Sequence, residues 1–300
     1  MILVAGGTGL LGRQVVARLC AEGRPVRVLS RDATRARELL GPHVEVVEGD
    51  VRQATSVAAA MAGVSVAVSA VHGFLGGRGA GPSDIDVRGN ATIVSAAKGV
   101  GADVVLLSVL GASATSDLEL FRAKWAAEQL LRASGTGWTI VRPAAYLETW
   151  TGILRDTAKK SGRPLVFGKG LQPIAFVSAT DVARAVVDAV GDKALRGRVL
   201  ELAGERLTLT ALAAAVQYAD GRTTVARHLP RGLLRLAGLL AAPISPAFAR
   251  QNRTALAMDT IDFGGSGDPA ARDAVVQVGC TRTVEQVLAL GRSINAQPRC

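Results

Sequence analysis

Ile2-Leu3-Val4-Ala5-Gly6-Gly7-Thr8-Gly9-Leu10-Leu11-Gly12 runs from an apolar stretch through a glycine-rich turn into an amphipathic pattern. Leu11, Val15, Val16 and Leu19 recur at helical spacing, so residues 10–22 read as a helix and residues 2–5 as a buried strand. Glycine suits such a turn, because it accepts unusual dihedrals and lets backbone N–H groups come close to a ligand. Two spacings overlap, Gly7/Gly9/Gly12 and Gly6/Gly9/Gly12, and either one leaves the positive end of the helix dipole facing an anion. Gly6, Thr8, Gly9, Leu10, Leu11 and Gly12 are therefore expected to cradle the pyrophosphate of a dinucleotide.

Further along, apolar runs at 26–29, 44–47, 64–71, 104–107 and 138–141 alternate with helical patterns at 33–40, 54–61, 85–99 and 118–133. That alternation predicts an α/β fold with a Rossmann-type, doubly wound parallel sheet. Strands that are apolar on both faces fit a sheet covered by helices on each side. Right-handed crossovers then line up the carboxyl ends of the strands along one crevice. After Pro143 the rhythm loosens into strands at 174–177 and 199–202 and helices at 180–190 and 210–219. Pro230, Pro243, Pro246 and a loop from Gly264 to Gly267 follow. The expected organisation is a NAD(P)-binding domain over residues 1–150 and a smaller, mostly helical substrate lobe over 151–300. Residues 174–202 are free to pack back on the main sheet. The apolar stretch 232–244, flanked by Arg231 and Arg235, is too short to span a bilayer. It is expected to be a buried or lid helix, with a membrane-surface helix as the sharper alternative.

Bulk properties narrow the class. The 300 residues are 49% hydrophobic and 20% charged, enough for a large core. The three cysteines (Cys20, Cys280, Cys300) are odd in number and far apart, so neither a disulfide framework nor a zinc spacing emerges. The three histidines (His43, His72, His228) are scattered too, and no metal site is expected. A strand beginning at residue 2 leaves no room for a signal peptide, which places the expectation in the reducing cytoplasm. The net charge is +10, but no run of five basic residues occurs and aromatics are only 4%. This argues against nucleic acid, and leaves a basic background with solvated helix faces as the plain reading of the charge, with attraction of an anionic cofactor, a small-molecule substrate or a membrane as the functional ones.

Cofactor choice is read at the end of the second strand. A site for NADH places a carboxylate there for the ribose hydroxyls; this chain has Ser30-Arg31. Arginine pairs with a 2′-phosphate, and serine removes the repulsion. Asp32 is assigned as the cap of the helix beginning at Ala33. Arg35, one turn on, adds charge, so the expected cofactor is NADPH. In Gly49-Asp50-Val51 the carboxylate is placed either against the adenine amino group or as a helix cap. Ser69 and Ala70, after the fourth strand, are small enough to lie against the ribose next to nicotinamide.

These residues occur together with Ser108, Lys124, Ala126-Ala127-Glu128, residues 138–143, Tyr146-Leu147-Glu148, Phe176-Val177-Ser178 and Asp181-Val182-Ala183. In combination the chain resembles the atypical short-chain dehydrogenase/reductase superfamily, specifically its NmrA-like NAD(P)H-binding branch. The likeness extends over nearly the whole sequence and loosens from Pro230. It implies a Rossmann domain with a smaller substrate lobe, and a branch that mixes reductases of quinones or activated double bonds with redox sensors. It also implies an acid, a tyrosine four residues before a lysine that lowers its pKa. Here Lys124 is in place, but the position four before it is Leu120, followed by Phe121. That departure counts against carbonyl reduction by a Tyr-Lys pair.

Lys124 is left to hold ribose hydroxyls, or else to be a solvated helix lysine. Tyr146 is a replacement acid bordering nicotinamide, or a packing aromatic. His72 is a donor near neutral pH, or a loop histidine. Ser108 is a candidate for orienting a substrate oxygen, and Glu148 reads as a structural hydrogen-bonding residue. The leading expectation is an NADPH-dependent reductase of a quinone, enone or imine, whose reduced form water can protonate. A non-catalytic NADP(H) sensor and an epimerase, isomerase or lyase are the alternatives.

Overall fold

The computed structural model describes residues 1–260 and 275–290. The apolar runs become β1 (Ile2–Ala5), β2 (Val26–Ser30), β3 (Glu45–Glu48), β4 (Val66–Ser69), β5 (Asp103–Leu107) and β6 (Trp138–Pro143). They are joined by α1 (Leu10–Ala21), α2 (Ala33–Leu40), α3 (Ala54–Met61), α4 (Asn90–Val100) and α5 (Glu119–Arg132). Then follow β7 (Ala145–Tyr146), α6 (Leu147–Ala158), β8 (Leu165–Phe167), β9 (Pro173–Val177), α7 (Ala179–Gly191) and β10 (Arg198–Leu202). The remainder is β11 (Arg206–Thr208), α8 (Leu209–Ala219), β12 (Arg227–Leu229), α9 (Arg231–Ala241), α10 (Pro246–Met258), β13 (Val275–Gln277) and α11 (Val284–Leu290).

The main sheet runs β3-β2-β1-β4-β5-β6-β10-β13, and every pair in it is parallel. Alternate residues of β1 feed opposite faces. Ile2 and Val4 join the core under α1 and α7, while Leu3 and Ala5 join the core under α3, α4 and α5. Leu3 and Val4 have no exposed surface, and each such burial stabilises by about 1.5–3 kcal/mol. The chain order reverses between β1 and β4, which opens the crevice at their carboxyl ends. Residues beyond 150 contribute to this body: α7 packs on α1, and β10 pairs with β6 from Arg198 opposite Thr139 to Leu202 opposite Pro143. The smaller lobe has two short sheets, β11-β9-β7 and β12-β8, and its own core around Leu147, Leu154, Phe176 and Leu212.

Two expectations change. The helix expected over 85–99 is split, with a π-helical segment Ser83–Gly89 preceding α4. At the junction Asn90 Nδ2 donates to the Asp86 carbonyl at 2.7 Å, and the Asn90 backbone N–H bonds to Val87 O. The stretch 232–244 is not a buried helix. In α9 Leu234 is the buried residue among those described, while Leu233, Leu236, Leu239 and Leu240 face outward. Its inner face, through Gly238, is small enough to lie close to Asn252 of α10. No helix among the described residues is long and apolar enough to cross a membrane. The Gly264–Gly267 loop and Cys300 lie outside the described residues.

Candidate functional site

The turn between β1 and α1 is built around its glycines. Gly6 has φ of 86°, and a Cβ there would lie 2.6 Å from the Ala70 carbonyl oxygen. A Cβ on Gly12 would overlap the Gly6 carbonyl, and one on Gly7 would press on Val28. Gly9 differs, since a Cβ there would meet only Gly6 O, at 3.4 Å. Protein packing therefore explains Gly6, Gly7 and Gly12 but leaves open space at Gly9. Gly9 is also the N-cap of α1, where no side chain caps the helix and no acidic residue occupies the first turn. The first N–H groups of α1, with the helix dipole behind them, thus point into an open approach. This is the geometry an anionic diphosphate requires.

The end of β2 offers positive charge at the next station. Asp32 is turned away from the site, because its carboxylate caps α2 by accepting from Arg35 N at 2.9 Å. Ser30 Oγ is held in a tight turn with the Asp32 backbone. Arg31 and Arg35 remain exposed. Asp50 follows β3 but does not cap α3, whose N-cap is Gln53. Its carboxylate instead receives Arg52 Nε at 3.0 Å and the Arg52 backbone N–H at 2.9 Å. The side-chain hydrogen bond from Arg52 holds the Asp50 pKa below the usual carboxylate range against desolvation, and Arg31 adds to the effect. Arg52 also donates to Gly79 O at 2.6 Å, tying the β4 loop to this end of the crevice. Val51 packs against Gly89 of the π-helical segment.

At the other end, Lys124 is not solvated. It is 4% exposed, and Nζ lies 2.9 Å from Val71 O, 2.8 Å from Leu107 O and 2.9 Å from Asp86 Oδ1. The two carbonyls take directed hydrogen bonds. The Asp86 contact is a charge contact without good hydrogen-bond alignment. Lys124 thereby ties the ends of β4 and β5 together. Asp86, fully buried, also accepts from Gly73 N at 2.7 Å through Oδ2. Ser69 Oγ donates to Asn90 Oδ1 at 2.6 Å, so the π-helical segment braces this floor, with Ala70 as the small residue facing Gly6. Asp86, Asn90 and Arg52 escaped the sequence reading. The available signal was a carboxylate set among apolar neighbours, Ile85-Asp86-Val87.

The candidate acids are placed as follows. His72 keeps an exposed edge on the loop after β4. Desolvation and the Lys124 ammonium lower its pKa, against a smaller opposing effect of Asp86. Tyr146 is half-buried on β7, where desolvation and the Glu148 carboxylate raise its pKa well above the ordinary phenol value. This is the reverse of the shift a proton-donating tyrosine needs. Ser108, at the end of β5, is buried and gives its proton to Glu128 Oε1. Glu128 is clasped by Arg142, with Nε–Oε1 at 2.9 Å and Nη2–Oε2 at 2.6 Å, and Arg142 reaches Glu201 at 3.3 Å. Glu148 accepts from Ser178 Oγ at 2.8 Å and Ala179 N at 2.9 Å, fixing the start of α7. Among the described residues no cluster of three His, Cys, Asp or Glu side chains is arranged to hold a metal ion.

Comparison with known proteins agrees with this geometry. A family described as NAD(P)H-binding matches residues 6–193. The NAD(P)H azoreductase of Xenophilus azovorans is 30% identical over 224 residues, 74% of each chain. The crystal structure of a Citrobacter triphenylmethane reductase superposes with a TM-score of 0.76 at 19% identity, covering 98% of this chain and 99% of that one. The NADPH-dependent quinone oxidoreductase of Escherichia coli, solved with NADPH, gives a TM-score of 0.73 at 22% identity, covering 96% and 99%. With its glycine turn, uncapped α1 and parallel sheet, the chain belongs to the NAD(P)H-binding family.

Proposed function

We propose that the chain is a cytoplasmic, NADPH-dependent reductase of a small conjugated acceptor such as a quinone, enone or imine. The observation that carries this reading is the pairing of a well-formed anion cradle at α1 with a crevice whose candidate acids are shifted the wrong way. When bound, NADPH supplies a hydride. The first N–H groups of α1 bind the pyrophosphate, and Arg31 with Arg35 meets the 2′-phosphate. Lys124 ties the ends of β4 and β5 together, and Ser69 and Ala70 between them are small enough that the nicotinamide ribose would lie against them. The Tyr146 pKa is raised by burial and Glu148 and the His72 pKa is lowered by burial and Lys124, so neither shift favours proton donation near neutral pH. An acceptor whose reduced form is a stabilised anion needs no such donor, since water protonates it. The named relatives, an azoreductase, a quinone oxidoreductase and a triphenylmethane reductase, reduce compounds of this conjugated kind.

The test is NADPH oxidation against a panel of quinones, enones and azo compounds, run on the wild type and Tyr146→Phe. A general acid contributes on the order of 10²–10⁴ in rate. We expect turnover on at least one conjugated acceptor and a kcat for Tyr146→Phe within about twofold of wild type. A loss of about a hundredfold would make Tyr146 the acid. Tight NADPH binding with no turnover across the panel would make the protein a sensor.

A further inference from the structure

The hairpin of α9 and α10 carries a surface that the cofactor site does not explain. Leu233 and Leu236 are each 54% exposed, Leu239 73%, Leu240 67% and Ile244 85%, with Phe248 beside them. Leu233, Leu236 and Leu240 lie at i, i+3 and i+7, so they form one outward stripe along α9. The inner stripe, Leu234, Ala237, Gly238 and Ala241, faces α10 and the protein. From 221 to 258 the chain has six arginines and one histidine, His228, with no Asp, Glu or Lys. Arg235 lies on the exposed side of α9, and Arg253 is exposed on α10. The hairpin is also fastened to the crevice. Arg250 of α10 donates to Phe74 O at 3.2 Å and to Gly76 O, and Arg78 donates to Pro243 O at 2.7 Å.

We propose that α9 is an interfacial helix that docks this protein, crevice mouth first, on an anionic lipid surface. An outward aliphatic stripe flanked by arginine is the pattern of a helix lying in the headgroup plane. Charge complementarity selects this occupant. A second copy would bring Arg235 and a like-charged arginine-rich segment against itself, in a chain already at +10. The stripe on α9 is leucine alone, with a single exposed aromatic, Phe248, on α10, whereas protein interfaces concentrate aromatic anchors at their centre. The proposal does not depend on which acceptor the crevice reduces.

The experiment is flotation of the full chain with vesicles of phosphatidylcholine alone and with a quarter phosphatidylglycerol. Leu236→Gln/Leu240→Gln removes the apolar stripe without changing charge, and Arg235→Glu reverses the charge on the same face. We expect wild type to float with the anionic vesicles and to keep part of that binding at high salt, where simple charge attraction is screened. The glutamine pair should bind at least about tenfold more weakly, with unchanged circular dichroism and NADPH affinity. Arg235→Glu should lose the dependence on phosphatidylglycerol, and it serves as the readout if the glutamine pair perturbs folding. The proposal is overturned if wild type does not float, or if both variants float as it does. It is also overturned if the wild type is a dimer in ultracentrifugation that the glutamine pair dissociates, since the stripe would then belong to a second copy.

Discussion

Gly12→Ala is expected to abolish useful cofactor binding while leaving a folded but weakened protein. The new Cβ would overlap the Gly6 carbonyl and sit 2.8 Å from Gly7 Cα, both rigid backbone. Neither neighbour is a flexible side-chain end, so the turn and the first turn of α1 must separate. Overpacking of this kind costs about 1–3 kcal/mol of stability. The displacement also moves the α1 N–H groups off the diphosphate. Losing two charge-assisted hydrogen bonds at about 1.5 kcal/mol each weakens NADPH on the order of a hundredfold. Fluorescence titration and urea unfolding measure the two effects separately. Gly9→Ala is the informative control, because its Cβ meets only Gly6 O at 3.4 Å. It should leave stability nearly unchanged and weaken NADPH, since the space it fills belongs to the ligand. If Gly9→Ala bound NADPH as tightly as wild type, the cradle would be misplaced.

The second large effect is expected at Arg142, a buried residue of β6. Its side chain is 1% exposed and lies between Glu128 and Glu201, with Gln277 donating to Glu201 from β13 at 2.9 Å. Burial is the largest single influence and disfavours its charge, but the hydrogen bonds and charges of Glu128 and Glu201 together outweigh it and raise its pKa, so the guanidinium stays charged. Arg142→Met would leave two buried carboxylates without the cation they share. Removing one partner of a buried ion pair costs about 3–5 kcal/mol. The melting temperature should fall by about 10 °C. Ser108 should also lose its fixed orientation, since its acceptor Glu128 is released. Glu128→Gln combined with Arg142→Met should recover part of the loss, a coupling that a double-mutant cycle reads directly. Additive losses would show that Arg142 acts only through packing.

Much of the fold was legible because it rests on local pattern. The apolar runs, their spacing and the glycine turn each report what a residue's near neighbours require, and the sheet follows from their alternation. Asp32 was legible for the same reason: a cap acts three residues away. What escaped the sequence depends on distant partners. Lys124 reads equally well as a ribose ligand or a solvated lysine until Asp86, 38 positions earlier, is seen to meet it. The end of the π-helical segment is held by Asn90, whose side chain bonds the Asp86 carbonyl and Ser69 of β4, 21 positions earlier. The pKa shifts of Tyr146 and His72 are set by burial and by Glu148 and Lys124, none of which periodicity reports. The α9 stripe misled for another reason, because hydrophobic spacing marks a face that needs covering without saying what covers it.

NADPH and NADH affinities of the wild type and of Arg31→Ala test the central reading most directly. The end of β2 presents Ser30 and the exposed Arg31 and Arg35, with Asp32 turned away to cap α2. Wild type should bind NADPH at least about tenfold more tightly than NADH, the value of one charge-assisted phosphate contact. Arg31→Ala should erase most of that preference while leaving NADH affinity within about twofold. Equal or tighter binding of NADH by the wild type would contradict the account.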